Sequence, residues 1–183
     1  MSRISKLTPE TMSPEQKAVH DNIAAGPRGS VRGPFAPMLH NPVIADQVQK
    51  LGAAIRYNGV LGGNLREIAI LVTGRFWTAQ YEWYAHAKIA RDLGVSDSII
   101  DAIAQRRRPN FVKTDEAAVY EFATELHEKQ KVSDNTYEWV TEQLGEDGVV
   151  ELTVICGYYG IISMVLNTFE VPLPDGESDP LRE

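Results

Sequence analysis

Cysteine is scarce in this sequence. One thiol in 183 residues excludes an intrachain disulfide framework, a Cys-x-x-Cys redox pair and a cysteine-rich zinc site. Positive charge is also short, with 18 Lys and Arg against 25 Asp and Glu and a formal net charge of −7. Nucleic-acid binding needs a clustered positive surface. The one basic run, Arg106-Arg107-Arg108, is too short to supply it and reads as a solvated helix end favourable to the dipole there. There is no low-complexity stretch and no clear repeat, and nothing shows the two-residue alternation that strands and hairpins need. The opening Met1-Ser2-Arg3-Ile4-Ser5-Lys6 lacks the apolar core of a secretory signal, so a cytoplasmic location is expected. His20 and His127 have no partners at metal-ligand spacing; no metal is expected, and both read as surface residues.

What is present is an ordinary globular composition, 43% hydrophobic and 23% charged, in a length that suits one domain with an extra arm. Residues 152–169 carry no charge, about the length at which a membrane span becomes a candidate. The acidic flanks Glu151 and Glu170, and the interior Gly157, Gly160, Ser163 and Asn167, favour a buried or subunit-interface helix instead. No membrane association is expected.

Proline and glycine divide the chain. Residues 1–42 read as an arm. Thr8-Pro9-Glu10 and Ser13-Pro14-Glu15 are both helix starts with proline at the first helical position, the second opening a helix to about Ala25. Gly26-Pro27-Arg28-Gly29-Ser30-Val31-Arg32-Gly33-Pro34 then breaks it. The apolar Phe35, Met38 and Leu39 that follow are expected to lie on the body. Residues 43–171 read as one helical domain and 172–183 as a polar tail. Ile44, Val48, Leu51 and Ile55 recur at helical spacing. Asn64 as N-cap, with Glu67 three residues on, opens a long helix. Its apolar face, Ile68, Leu71, Val72 and Phe76, continues with one bend to Leu93. Further helices are expected over 96–105, 114–131, 133–144 and 146–167, with Trp77, Trp83 and Trp139 as core aromatics. The expected fold class is all-α, with about eight helices.

The densest chemistry is Tyr81-Glu82-Trp83-Tyr84-Ala85-His86. Glu82 and His86, four residues apart, share a helix face. A carboxylate beside an imidazole sets its tautomer and raises its pKa, which suits a proton shuttle; the same spacing also fits a plain surface ion pair. Glu67 is either a second acid of this set or a capping-box residue.

Three stretches carry a family likeness: Arg66-Glu67-Ile68-Ala69-Ile70-Leu71-Val72, Tyr81-Glu82-Trp83-Tyr84-Ala85-His86-Ala87-Lys88-Ile89-Ala90, and Leu93-Gly94-Val95. Gly157-Tyr158-Tyr159-Gly160 and Leu166-Asn167 extend it. Together they resemble the carboxymuconolactone decarboxylase family, which shares a fold with the alkylhydroperoxidase D (AhpD-like) proteins, over most of residues 40–170. The peroxidase branch carries a Cys-x-x-Cys on this helix. Here Ala79 and Glu82 stand in the two cysteine positions, while Glu67 and His86 match the family's proton relay. Peroxide reduction in that branch needs a thiolate and a resolving partner, and Cys156, in an apolar helix, reads as an inert buried thiol.

The resemblance therefore implies a decarboxylase acting on a small carboxylated lactone or related acid, with neither metal nor organic cofactor. His86 would transfer the proton, Glu82 orient it and Glu67 serve as a second relay. Arg75 or Arg66 would pair with a substrate carboxylate through the guanidinium fork. His40 and Tyr158 are further pocket candidates; read as residues alone, His40 is a turn or surface histidine and Tyr158 a core or interface residue. The family implies a homo-oligomer, a trimer or hexamer. The long arm marks a divergent member whose substrate can differ from the family's lactone. The other readings are a peroxidase-like enzyme and a non-catalytic small-molecule-binding oligomeric protein.

Overall fold

The computed structural model describes residues 2–182. Among the described residues there are eight helices and no strand, the all-α class expected. The chain divides into two compact units, one running up to Gly59 with Val165–Pro172, the other Val60–Met164 with Leu173 onward.

In the first unit, α1 (Pro14–Ala25) starts on a reciprocal box. The Ser13 hydroxyl accepts from the Gln16 N–H, and the Gln16 side chain accepts from the Ser13 N–H, with Pro14 at the first helical position. Ser13→Ala is expected to lose about 1 kcal/mol in urea denaturation. The other proline start, at Thr8, makes only a turn, closed by the Thr11 and Met12 N–H groups on the Thr8 carbonyl. A helix from Pro9 would run into Pro14, which bars Ser13 from helical backbone angles. The single-turn α2 (Phe35–Met38) buries Phe35 and Met38, and Leu39 after it. Both α1 and α2 pack on α3 (Pro42–Tyr57), whose Asn41 cap accepts from the Ile44 N–H. The buried face of α3 is Ala45, Gly52 and Ile55. Ile44 and Leu51, expected to face inward, are 52% and 42% exposed. The small residues take the close helix contacts, which turns the larger ones outward.

The second unit is organised around α4 (Gly63–Phe76). Every residue from Glu67 to Arg75 is buried, because α5 (Gln80–Asp92), α6 (Asp97–Ala104) and α7 (Thr114–Lys129) all pack on it. Asn64 does not cap this helix. It sits inside the first turn and donates to Glu116 Oε1 at 2.9 Å, so no capping box forms and the Glu67 side chain is free for other work. The long helix expected from Asn64 to Leu93 is two helices, α4 and α5. The break is at Thr78, whose backbone is left-handed at φ 47°.

The two last helices expected are both present within α8 (Asp134–Thr168), one before and one after a kink at Gly145, whose backbone is non-helical at φ 73° and ψ 171°. That conformation is essentially confined to glycine. A Cβ there would also approach Asp147 Oδ1 to 3.0 Å. Gly145→Ala is expected to lose about 1–3 kcal/mol, read as a lowered Tm. The apolar window of α8 is 56% buried within the protein, as befits a core helix. The tail is fastened by its backbone: Gln80 accepts from the Leu181 N–H and donates to the Leu181 carbonyl, both at 2.9 Å.

Candidate functional site

Because α5 folds back along α4, residues far apart in sequence share one buried spot. Glu67 comes from α4, and Glu82 and His86 from α5. His86 Nδ1 lies 2.6 Å from Glu67 Oε2, and Nε2 lies 3.1 Å from Glu82 Oε1. All three side chains are buried, so the pair on α5 is not a surface ion pair. From α8, Tyr159 sets its ring edge-to-face on the imidazole, with centroids 5.1 Å apart.

This environment decides the charge of His86. Burial on its own pulls an imidazole toward the neutral form. The charges of Glu82 and Glu67, with the hydrogen bonds both make to the ring, outweigh it and push the pKa up to about 9,. A carboxylate oxygen only accepts, so a ring facing two of them carries a proton on each nitrogen, and the network assigns His86 as imidazolium.

Arg66 adds the second positive charge, its Nε 3.7 Å from Glu67 Oε1. Two cations and two carboxylates balance. That separation is too long for a hydrogen bond, and both atoms are buried with no hydrogen-bond partner. The site therefore holds one unspent donor and one unspent acceptor, a feature that native interiors seldom tolerate without a use.

Arg75 is buried and committed: Nε donates to the Ala104 carbonyl at 2.8 Å, Nη1 to Thr78 Oγ1 at 2.9 Å and Nη2 to the Arg182 carbonyl at 2.9 Å. It lines a cavity to which Glu67, Glu82 and His86 contribute no wall. His40 belongs to the first unit, with its ring Nε2 3.0 Å from the Ser5 carbonyl. Tyr158 is buried edge-to-face on Tyr159, whose own ring packs on His86.

His127 is not a surface residue. It is half-buried, stacked on Phe76 at 5.0 Å, with Nε2 2.8 Å from Thr73 Oγ1. The Thr73 hydroxyl donates to the Ala69 carbonyl, so His127 Nε2–H is the donor to Thr73. Burial pushes the His127 pKa down. Cys156 is fully buried beside Thr73, and burial pushes its thiol up to about 12. Among the described residues, no group of three His, Cys, Asp or Glu side chains is placed to hold a metal ion.

No known family profile matches the sequence, and no curated protein matches it. Solved structures do. One is a peroxidase-related protein with an alkylhydroperoxidase AhpD core from Ralstonia eutropha JMP134. It superposes with a TM-score of 0.78 at 17% identity, over 95% of this chain and 93% of that one. The debrominase Bmp8, in complex with 2,3,4-tribromopyrrole, gives a TM-score of 0.74 at 15% identity over 96% and 95%. The AhpD-type protein ATU0492 from Agrobacterium tumefaciens, of unknown function, gives 0.66 at 16% identity over 75% and 95%. At such identities the likeness is one of architecture, and on that measure this chain has the AhpD-like all-α fold.

Proposed function

We propose that the protein is a cofactor-independent acid–base enzyme that decarboxylates a small carboxylated lactone or a related acid. The observation that carries this reading is the His86 imidazolium held between Glu67 and Glu82 in a buried site. Loss of carbon dioxide from such a substrate breaks the bond between its ring carbon and its carboxylate. The electron pair passes into the conjugated carbonyl, which becomes an enolate. A proton then has to reach the ring carbon, and solvent reloads the donor. The substrate's own carbonyl is the electron sink, so the step calls for a loaded acid and a cation near the developing oxyanion.

At pH 7 an imidazolium with a pKa near 9 is loaded. Both its N–H groups point at carboxylates, so the proton leaves the ring through Glu82 or Glu67, with the carboxyl group as the last relay. Glu67 at 2.6 Å and Glu82 at 3.1 Å hold the two sides of the ring, and both orient it. Arg66, with its buried unspent Nε–H, is the cation suited to the substrate carboxylate or the enolate oxygen; Arg75 has its guanidinium tied to Ala104, Thr78 and Arg182.

Thiol peroxidase chemistry finds no support in the same geometry. Cys156 is buried with its thiol pushed up to about 12, and a protonated thiol is a poor nucleophile. Cys156→Ser is expected to leave turnover within about twofold of the native rate. The test of the reading is carbon dioxide release by the full chain from a panel of carboxylated unsaturated lactones and β-keto acids. Release that disappears in His86→Ala supports it; release that survives in His86→Ala contradicts it.

We further infer a homo-oligomer, a trimer or hexamer. Val150, Val154, Ile161 and Met164 are exposed at helical spacing on α8, around Gly157, whose missing side chain leaves open space. An apolar stripe of this kind suits helix packing against a second copy. A monomer by light scattering would contradict the inference.

A further inference from the structure

Ser163 of α8 is a buried hydroxyl with nothing to bond. The residue is 0% exposed, and among the described residues no donor or acceptor reaches its Oγ. A Ser or Thr inside a helix can return its hydroxyl to the carbonyl one turn back. Two other hydroxyls of α8 do so, Thr141 to the Tyr137 carbonyl at 2.8 Å and Thr153 to the Val149 carbonyl at 2.9 Å. Ser163 does not. Holding a hydroxyl away from water without a partner is costly, and alanine would suit the same helical position better. Neither packing nor helix formation explains a serine here.

Its place in the fold does. α8 runs beside α4 in the same direction: Cys156 lies beside Thr73, and a Cβ on Gly160 would come to 3.7 Å from Trp77 Nε1. Ser163 follows Cys156 by two helical turns, so it stands on the same face of α8, about 10 Å further along. That is the level of the turn after Trp77 that leads into α5. Ser163 is also one turn beyond Tyr159, whose ring packs on His86. Glu82 lies in the first turn of α5. Gly74 of α4 sets no side chain against it, and a Cβ there would meet Glu82 Cγ at 3.7 Å. Ser163 therefore stands toward the Glu82 end of the buried cluster. Glu67, ten residues before Trp77 on α4, marks the other end.

We propose that Ser163 is a further substrate-binding residue of the His86 site, its hydroxyl donating to the substrate's carbonyl oxygen on the Glu82 side. The part the hydroxyl plays in the reaction rests on the decarboxylation reading. When carbon dioxide leaves, the electron pair of the broken bond moves onto that carbonyl oxygen as an enolate. A hydroxyl bonds the charged oxygen more strongly than the neutral one. The enolate carbon then takes the proton that His86 passes through Glu82, and the carbonyl is restored. Ser163 finds its hydrogen-bond partner only in the occupied site, which is why the empty fold tolerates the orphan.

The test is Ser163→Ala in the full chain, read by thermal unfolding and by carbon dioxide release. Removing an unpartnered hydroxyl is expected to raise Tm by a few degrees. The same change is expected to lower kcat about a hundredfold, as loss of one donor to a developing oxyanion does. Thr153→Ala, which removes a satisfied hydroxyl of the same helix, is expected to do neither. A Tm at or below that of the native protein overturns the proposal, because the hydroxyl would then have a partner inside the fold. A native kcat in Ser163→Ala overturns it as well. If the native protein releases no carbon dioxide, the decarboxylation reading fails by itself and binding decides on Ser163. The probe is millimolar coumalate, an unsaturated lactone that bears a carboxylate. A Tm increment with coumalate that shrinks in Ser163→Ala and persists in Thr153→Ala supports the contact. An increment equal in the native protein and Ser163→Ala, or none in the native protein, overturns it.

Discussion

The His86→Ala variant is expected to release no carbon dioxide from any substrate the native protein turns over, and to lose about 3–5 kcal/mol of stability at neutral pH. The two effects have one cause. His86 is the charge that Glu67 and Glu82 both face at hydrogen-bond distance inside the protein. Removing it leaves two carboxylates buried toward one another with only Arg66 nearby, at 3.7 Å from Glu67, and removes the proton the reaction needs. Breaking a buried pair is costlier than losing a surface one because the remaining charge cannot recover its hydration. Urea denaturation reads the stability change. A loss below about 1 kcal/mol is what a neutral, weakly held histidine would give. Glu67→Gln separates the roles. It keeps the side-chain shape, so a folded variant with little turnover places the loss in the relay and not in packing.

Native stability is expected to fall by about 3 kcal/mol between pH 6.5 and 9. The His86 pKa is raised from 6.5 to about 9 on folding. Below 6.5 the ring is protonated in both states, and the full contribution of the buried imidazolium is present. As pH rises through this window the unfolded chain releases its proton first while the folded one keeps it. The folded state then binds more protons, and stability declines with rising pH until the folded group titrates near 9. A rise from 6.5 to about 9 corresponds to about 3 kcal/mol. The measurement is a series of urea denaturations across that window, in which His86→Gln is expected to lack the decline. A native protein as stable at pH 9 as at pH 6.5 would contradict the charge state assigned to the site.

Half of the site was legible in the sequence and half was not, for a geometric reason. Glu82 and His86 are four residues apart on one helix, and spacing alone puts them together. Glu67 is another matter. In a continuous helix it would stand about 28 Å from His86, and the apolar pattern through Trp77, Tyr81 and Tyr84 runs on without a stop. The chain turns back at Thr78, a residue with no turn propensity, where glycine would have announced the break. The likeness to the decarboxylase family placed Glu67 beside His86 where periodicity could not.

Arg75 escaped for a related reason, since its partners are the ends of other segments, Ala104 and Arg182. On the inward face of α3, Ile55 was legible, but Ala45 and Gly52 were not, because they mark close packing without any hydrophobic signal of their own. His127 carried no sequence signal at all; its burial depends on Phe76 and Thr73 of a different helix.

The chemistry of the site depends on His86 being an imidazolium between two carboxylates, and nitrogen-15 NMR of the histidine rings tests that most directly. The His86 ring is expected to show both nitrogens protonated at pH 7 and to titrate near pH 9. A His86 ring that is neutral at pH 7, with one bare nitrogen, would contradict it.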